Sequence, residues 1–216
     1  MNATLKRLFD VLSSMGALIL LAPVLFLIAA AIRLDSPGPV LFRQRRIGLH
    51  GQPFRVLKFR TMVDRDPDTI DQHHEQVVST GIDPRITRAG RLLRASSLDE
   101  LPQLWNILRG DMSVVGPRPI LPEQVEVVPP SYASRFSVRP GLTGLAQVRG
   151  RRTLGWIQQL EADTEYAAQH HLLYDLGLIL RTIYVVLTGQ GVYGEAGINW
   201  RTYRDSLRNR QQGDTK

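Results

Sequence analysis

The sequence predicts an α+β fold, mainly helical. A membrane-inserted N-terminal helix leads into a small β-hairpin and a compact domain of short helices, some of them amphipathic and interfacial. Three observations predict this. Val11 to Ile32 contains no charged residue. The runs Val40–Phe42 and Phe54–Phe59 flank the turn-forming Ile47-Gly48-Leu49-His50-Gly51, as two strands of a hairpin do. Residues 154–171 and 172–187 read as two helices, the second strongly apolar.

The chain has 216 residues, enough for one sizeable core or one domain with a small appendage. A net charge of +7 points to anionic partners: nucleic acid, acidic lipid or phosphorylated substrates. There is no cysteine, which excludes disulfides, Cys-based zinc sites and thiol nucleophiles. The boundaries fall at 1–34 for the membrane helix, 35–200 for a cytoplasmic catalytic domain and 201–216 for a polar, disordered tail.

The length of the Val11–Ile32 run matches the hydrocarbon thickness of a bilayer. Pro23 stands in its middle and removes a helix hydrogen bond. Both flanks are basic, with Lys6 and Arg7 before and Arg33, Arg43, Arg45 and Arg46 after. Positive residues favour the cytoplasmic side, so both ends ask for the same side. A re-entrant helix that breaks at Ala22-Pro23 satisfies both signals. A kinked single span and a cleaved signal peptide, with Ala29-Ala30-Ala31 as a cleavage-site mimic, are the alternatives.

Asp35-Ser36-Pro37-Gly38-Pro39 must end the helix. After the hairpin, which leads into Lys58-Phe59-Arg60-Thr61-Met62, residues 64–84 are acidic and polar and read as an exposed, mobile loop. His73-His74 lies within it but lacks the i, i+4 spacing of helical metal ligands. Arg85, Arg88, Arg91 and Arg94 form a basic helical stripe; Arg85 and Arg88 read as a solvated face.

The chain is organised around Arg94–Pro119, RASSLDELPQLWNILRGDMSVVGPRP. It places the adjacent acids Asp99 and Glu100 at a helix start, after Arg94 and before a turn that holds Arg118 between two prolines. Ser97-Leu98-Asp99-Glu100 also has the form of a capping box, a purely structural use of Glu100. Pro102 argues for a start nearer Asp99, where its missing N–H costs little. Either way the helix dipole is expected to lower the acids' pKa. Gly110 is a natural stop.

Farther on, residues 120–138 read as irregular or weakly helical. Arg139-Pro140-Gly141-Leu142-Thr143-Gly144 is a second rigid turn presenting an arginine, and it precedes the basic Arg149-Gly150-Arg151-Arg152. The apolar run 172–187, interrupted by Asp175 and Arg181, is short for a span and reads as an interfacial or core helix. Gly189-Gln190-Gly191-Val192-Tyr193-Gly194 matches a dinucleotide fingerprint, but no helix-forming run follows, so it is set aside.

With the membrane segment, KFRTM, LDELPQLWNILRGDMSVVGPRP and RPGLTGLAQVRGR in view, the chain resembles the bacterial sugar transferases. These are the monotopic polyprenyl-phosphate phosphoglycosyl transferases that begin O-antigen, capsule, exopolysaccharide and glycoprotein glycan assembly. The resemblance runs from about Lys6 to about Leu187, and to the minimal form without the larger members' extra N-terminal membrane domain.

The resemblance implies a magnesium-dependent transfer of sugar-1-phosphate from a UDP-sugar to undecaprenyl phosphate at the bacterial inner membrane, releasing UMP. It places the nucleophile at Asp99 and the Mg2+-linked carboxylate at Glu100. Lys58, Arg94, Arg118 and Arg139 are candidate phosphate contacts, since guanidinium forks suit phosphate oxygens. Asp163 fits an acidic position in the family's helix after the RPG segment. The re-entrant helix is a family feature too, although Ala22 stands where well-known members have a Ser before the Pro. A nucleic-acid-binding protein and a non-catalytic membrane-surface protein are the rivals. Aromatic residues are not interleaved with the basic stripe, which argues against nucleic acid, and a scaffold has no use for the acid pair. No residue selects the sugar; a homodimer is compatible with the sequence, and oligomeric state stays open.

Overall fold

The computed structural model describes residues 3–75, 83–189 and 199–213. Helix α1 (Ala3–Asp35) comes first, a run of 33 residues and so about 50 Å long. The break expected at Ala22-Pro23 does not interrupt it: Pro23 lies inside the helix. A proline costs a helix interior one donor and a steric clash with the preceding turn, and α1 carries that cost while keeping a helical backbone on both sides of Pro23. The helix ends at the Ser36–Pro39 turn cluster, as expected.

Both ends of α1 attach to the same domain. Near its start, Arg7 donates to the carbonyls of Ile107 and Leu108 at 2.6 and 2.7 Å. Asp10 accepts from Ser113 Oγ and from the Val114 amide at 2.9 and 3.0 Å. Lys6 forms an ion pair with Asp175 at 2.7 Å. Near its end, Ile28 and Ile32 pack on Phe59 and Leu93, and Asp35 accepts from the Ala89 amide at 2.9 Å. Between these attachments Ile19, Leu20, Phe26 and Leu27 stay exposed. Only 6% of the most apolar 18-residue window is buried.

Strands β1 (Leu41–Ile47) and β2 (Pro53–Phe59) form the antiparallel hairpin, pairing Phe42 with Lys58 and Gln44 with Val56. Arg43, Arg45 and Arg46 therefore belong to a strand rather than to a helix flank. Helix α2 (Arg88–Ser96) follows, capped by Thr87 Oγ1 accepting from the Gly90 amide. A 3-10 turn at Leu98–Glu100 then leads into α3 (Gln103–Arg109). Arg7 and Gly110, at φ 94°, close the C-terminus of α3.

Strand β3 (Ser113–Val115), the short α4 (Pro122–Val125) and strand β4 (Gly141–Thr143) frame the two arginine turns. β3 and β4 pair in parallel, so the Gly116–Pro119 and Arg139–Gly141 turns lie back to back. A Cβ on Gly116 would fall 2.2 Å from the Arg139 carbonyl oxygen, and one on Gly141 2.1 Å from the Gly116 nitrogen. Only glycine permits that approach. Helices α5 (Leu145–Arg149), α6 (Trp156–Gln169) and α7 (Leu172–Leu187) pack around this centre. Val115, Leu145, Ala162, Tyr166 and Leu178 form the buried core there.

Helix α7 has the two faces expected of an interfacial helix. Asp175, Leu178 and Val185 are buried, while Leu173, Leu180, Ile183 and Leu187 form an exposed apolar stripe. The tail prediction is corrected. Trp200–Gly213 forms a final helix, α8, anchored by Trp200 among Ile120, Val127, Trp156 and Leu160. Arg201 and Arg204 stack over the Trp200 ring at 4.9 and 5.6 Å. Tyr203 packs on the same core, and Arg201 donates to the Gln72 carbonyl at 2.7 Å, so a few anchors order a segment that its polar composition marks as solvated. The Gly189–Gly194 fingerprint falls largely outside the described residues.

Candidate active site

Asp99 and Glu100 lie at the edge of a cavity of about 720 Å³. Its floor and walls come from β1, β2, the loop after β2, the 3-10 turn, the Gly116–Pro119 turn and helices α5 to α7. Strand alternation aims Phe42, Gln44 and Arg46 from β1 into it, together with Lys58, the cross-strand partner of Phe42. Glu100 Oε1 accepts from Lys58 Nζ at 2.6 Å and from Arg118 Nη2 at 2.9 Å. One carboxylate oxygen thus joins the hairpin to the proline-flanked turn.

The capping box is absent. Ser97 adopts φ 59° and its side chain caps nothing; its Oγ accepts from Arg151 Nη2 at 2.6 Å. The acids sit on a 3-10 turn before α3 rather than in its first turn. The expected pKa lowering is corrected for Asp99. Burial pushes its carboxyl up, with Lys58, Arg94 and Arg118 pulling against that shift. Burial acts the same way on Glu100, but Arg118 and Lys58 outweigh it and hold that carboxyl well below the ordinary range. Two adjacent acids are thereby given different electrostatic characters by one ring of cations.

Arg94 lines the cavity, and its Nη1 is buried with no hydrogen-bond partner. A buried guanidinium nitrogen left unpaired is a ready anion contact. Arg139 is not brought to the site. Its Nε donates to the Gly110 carbonyl at 2.9 Å, and it does not line the cavity. The back-to-back turns send Arg118 inward and Arg139 to the end of α3. Asp163 does line the cavity, 3% exposed. Its Oδ2 accepts from Arg135 Nη2 at 2.7 Å and from Nε at 3.2 Å. Arg135 Nη2 also donates to the Arg118 carbonyl at 2.8 Å, so this buried pair holds the Arg118 turn in place.

Sequence reasoning missed three cations. Arg46 lies in the cavity wall and donates to the Pro119 carbonyl at 3.2 Å. Burial, assisted by Arg118, lowers its pKa to about 10. Arg151 reaches Ser97, and Arg135 pairs with Asp163. The alternation of β1 was the signal for Arg46; nothing local marked Arg135, whose partner lies 28 positions away. The loop after β2 is also more engaged than expected. Ile70, Gln72 and Glu75 line the cavity, and Arg85, read as solvated, pairs with Asp83 and Glu75.

Among the described residues no cluster of three or more His, Asp or Glu could hold a metal alone. The adjacent carboxylates of Asp99 and Glu100 are the closest-spaced oxygen donors on the cavity wall, which Asp163 also lines. That suits a hard divalent cation of the magnesium type, which takes one or two carboxylates and completes its shell with water and substrate phosphate.

The site is thus a half-buried acid pair ringed by lysine and arginine, on a domain tied to a long apolar helix. The family model described as bacterial sugar transferase matches residues 1–189. The chain belongs to that family and is an enzyme that transfers a sugar phosphate. It is 48% identical over 198 residues to a UDP-glucose:undecaprenyl-phosphate glucose-1-phosphate transferase of Caulobacter vibrioides, covering 87% of this chain and 72% of that relative. It is 40% identical to the exopolysaccharide production protein ExoY of Rhizobium meliloti, covering 87% and 88%. It is also 40% identical to a UDP-glucose:undecaprenyl-phosphate glucose-1-phosphate transferase of Escherichia coli, covering 89% of this chain and 42% of that longer protein.

Proposed function

We propose that the chain transfers a sugar-1-phosphate from a UDP-sugar to undecaprenyl phosphate, giving undecaprenyl-diphosphate-sugar and UMP, as a first step of surface polysaccharide or glycoconjugate assembly. The activities for which the Caulobacter and E. coli relatives are named support the donor and acceptor classes. The observation that carries the chemistry is the division of labour between the two acids. Glu100 is held ionised by Lys58 and Arg118, while Asp99 makes no hydrogen bond to either of those cations among the described contacts.

In this reading an Asp99 carboxylate oxygen attacks the sugar-bearing phosphorus. The new bond is a carboxyl–phosphate bond, and the bond that breaks is the pyrophosphate P–O bond, whose electron pair leaves with UMP. An oxygen of the lipid phosphate then attacks the same phosphorus and releases Asp99 as carboxylate. Lys58, Arg94 and Arg118 hold the phosphate oxygens and offset the charge that develops on them. Arg46 adds a fourth cation at the same wall. Magnesium bound at Glu100 would supply further neutralisation of the pyrophosphate.

Attachment of both ends of α1 to one domain supports a monotopic arrangement on the cytoplasmic face of the inner membrane, with the exposed middle of α1 and the apolar stripe of α7 in lipid. A nucleic-acid-binding reading has no comparable support, since the cations converge on the acid pair. The test is UMP release by purified protein from a panel of UDP-sugars with undecaprenyl phosphate. Asp99→Asn is expected to abolish transfer and keep membrane association. Full turnover by that variant would remove Asp99 as nucleophile. An N-terminal tag reached from outside the cell membrane would refute the monotopic topology.

A further inference from the structure

The phosphate chemistry leaves a second set of cavity groups without a task. Gln147 on α5 has both amide atoms, Oε1 and Nε2, buried with no hydrogen-bond partner. Trp156 Nε1, on α6, is in the same condition, and Asp163 Oδ1 on the same helix makes no well-formed hydrogen bond, with only the Arg118 backbone amide beside its carboxylate. All three residues line the cavity that holds Asp99 and Glu100. Buried polar atoms are nearly always paired, because an unpaired one forfeits its hydration. Several such atoms in one cavity mark where a ligand supplies the partners.

The positions are built rather than accidental. Trp156 and Asp163 lie seven residues apart, two turns along one face of α6. The indole body is locked in the core between Ile120, Leu160 and Trp200, which fixes the direction of its N–H. Asp163 is fixed by Arg135 through its other oxygen. Gln147 folds toward Gly144, where an added Cβ would meet Oε1 at 3.0 Å.

These groups differ in kind from the phosphate contacts. Two are neutral, and the Asp163 charge is matched by Arg135. Together they offer an indole donor, a carboxylate acceptor and a carboxamide that is both, spread over two helices. The transferred sugar presents hydroxyls in several directions, each able to donate and accept. The uracil imide edge is one coplanar donor flanked by acceptors, and it presents no group that needs so dispersed a set.

Building on the UDP-sugar reading above, we propose that Gln147, Trp156 and Asp163 form the subsite that reads the hydroxyls of the transferred sugar, with Gln147 and Trp156 as specificity-determining residues. The sugar would lie against the α5–α6 wall, with its phosphate reaching back to Asp99.

The experiment uses the purified full chain and UMP release, with the preferred UDP-sugar and its singly deoxygenated analogues. Wild type is compared with Trp156→Phe and Gln147→Met, which keep ring and length. A hydroxyl read by one of these side chains should cost wild type about 10-fold in kcat/KM when removed, and should cost the matching variant little, because the two losses share one hydrogen bond. Inhibition by UMP should be unchanged in both variants. Equal deoxygenation penalties in wild type and both variants would overturn the proposal, as would a wild type indifferent to every hydroxyl. Weakened UMP inhibition in Gln147→Met would assign that residue to the uridine instead. If Trp156→Phe fails to fold, Gln147→Met and the wild-type series still decide. A wild type that releases UMP from no UDP-sugar defeats the underlying function, whereas an active wild type with unaltered penalties in the variants defeats only the subsite.

Discussion

Replacing Arg135 with methionine should unfold the enzyme at a markedly lower temperature, and a second substitution should restore the loss. The guanidinium places two nitrogens on Asp163 Oδ2, at 2.7 and 3.2 Å, with the partners' side chains only 2% and 4% exposed. Removing one member leaves a carboxylate buried with its counter-charge gone, which costs about 3–5 kcal/mol. For a chain of this size each kcal/mol moves Tm by about 2–4 °C, so Arg135→Met should melt about 6–20 °C below wild type. Replacing both members with apolar groups removes the uncompensated charge. Arg135→Met with Asp163→Leu should therefore regain most of the stability, since apolar replacement of a buried pair is often close to neutral. Activity should stay lost in the double variant, because Arg135 also anchors the Arg118 carbonyl at 2.8 Å. Thermal unfolding in detergent, followed by tryptophan fluorescence, together with UMP release, reads both effects. A single variant melting within about 2 °C of wild type, or a double variant no better than the single, would refute the reasoning.

Three further outcomes follow from the site and the membrane surface. Burial raises the Asp99 carboxyl, and that group must be ionised to attack, so kcat/KM should fall on the acid side with an apparent pKa above the ordinary value of about 3.9. Lys58 pulls this pKa down, so Lys58→Met should move the acid limb to higher pH; a limb that moves lower would contradict the assignment. Lys6→Met removes the cation shared by Asp10 and Asp175, which are 1% and 0% exposed in their side chains, and should destabilise by about 3–5 kcal/mol in chemical denaturation. Leu180→Glu with Leu187→Glu puts two charges on the exposed stripe of α7, at residues 69% and 81% exposed. Because α1 still holds the protein on the vesicle, the pair should leave sedimentation and Tm unchanged but move a polarity-sensitive label at Leu173 into water; a label environment equal to wild type would show that this face is not in lipid.

The legible parts of this chain were those set by local pattern. An uncharged apolar run, a strand after a turn and a second apolar run gave α1, β2 and α7 close to their observed limits, whereas β1 runs on to Ile47, well past the expected Phe42. Lys58, Arg94 and Arg118, which line the cavity with the acids, could be singled out because each sits in a compact motif beside the acids or the hairpin. What failed depended on distance. Arg139 was grouped with Arg118 because both occupy proline-bearing turns, but pairing β3 with β4 puts the turns back to back and separates their side chains. The capping box failed for a related reason. Ser97 and Glu100 have the right spacing, yet ion pairs with Lys58 and Arg118, 42 and 18 positions away, outcompete a local amide. Helix α8 failed because a few anchors order it, Trp200 and Tyr203 in the core and Arg201 and Arg204 on the loop after β2, and composition averages them into a polar background.

The long helix shows how these levels combine. By sequence, Pro23 was the reason the chain could return to the side it started from. In the structure α1 stays helical through Pro23, and its two ends are what attach to the domain. Lys6, Arg7 and Asp10 bind α3, β3 and α7, whereas Ile28, Ile32 and Asp35 bind β2 and α2. A helix fastened to one domain at both ends holds that domain, and the cavity within it, against whatever surface receives its exposed middle. The proline then matters less as a hinge than as a place where the bonded ladder is already weakened. Ala22 tests this ordering. If the end attachments set the topology, Ala22→Ser should leave membrane retention and UMP release within about twofold of wild type, an effect well under 1 kcal/mol. Loss of the N-terminal attachment through Asp10→Ala should disturb both.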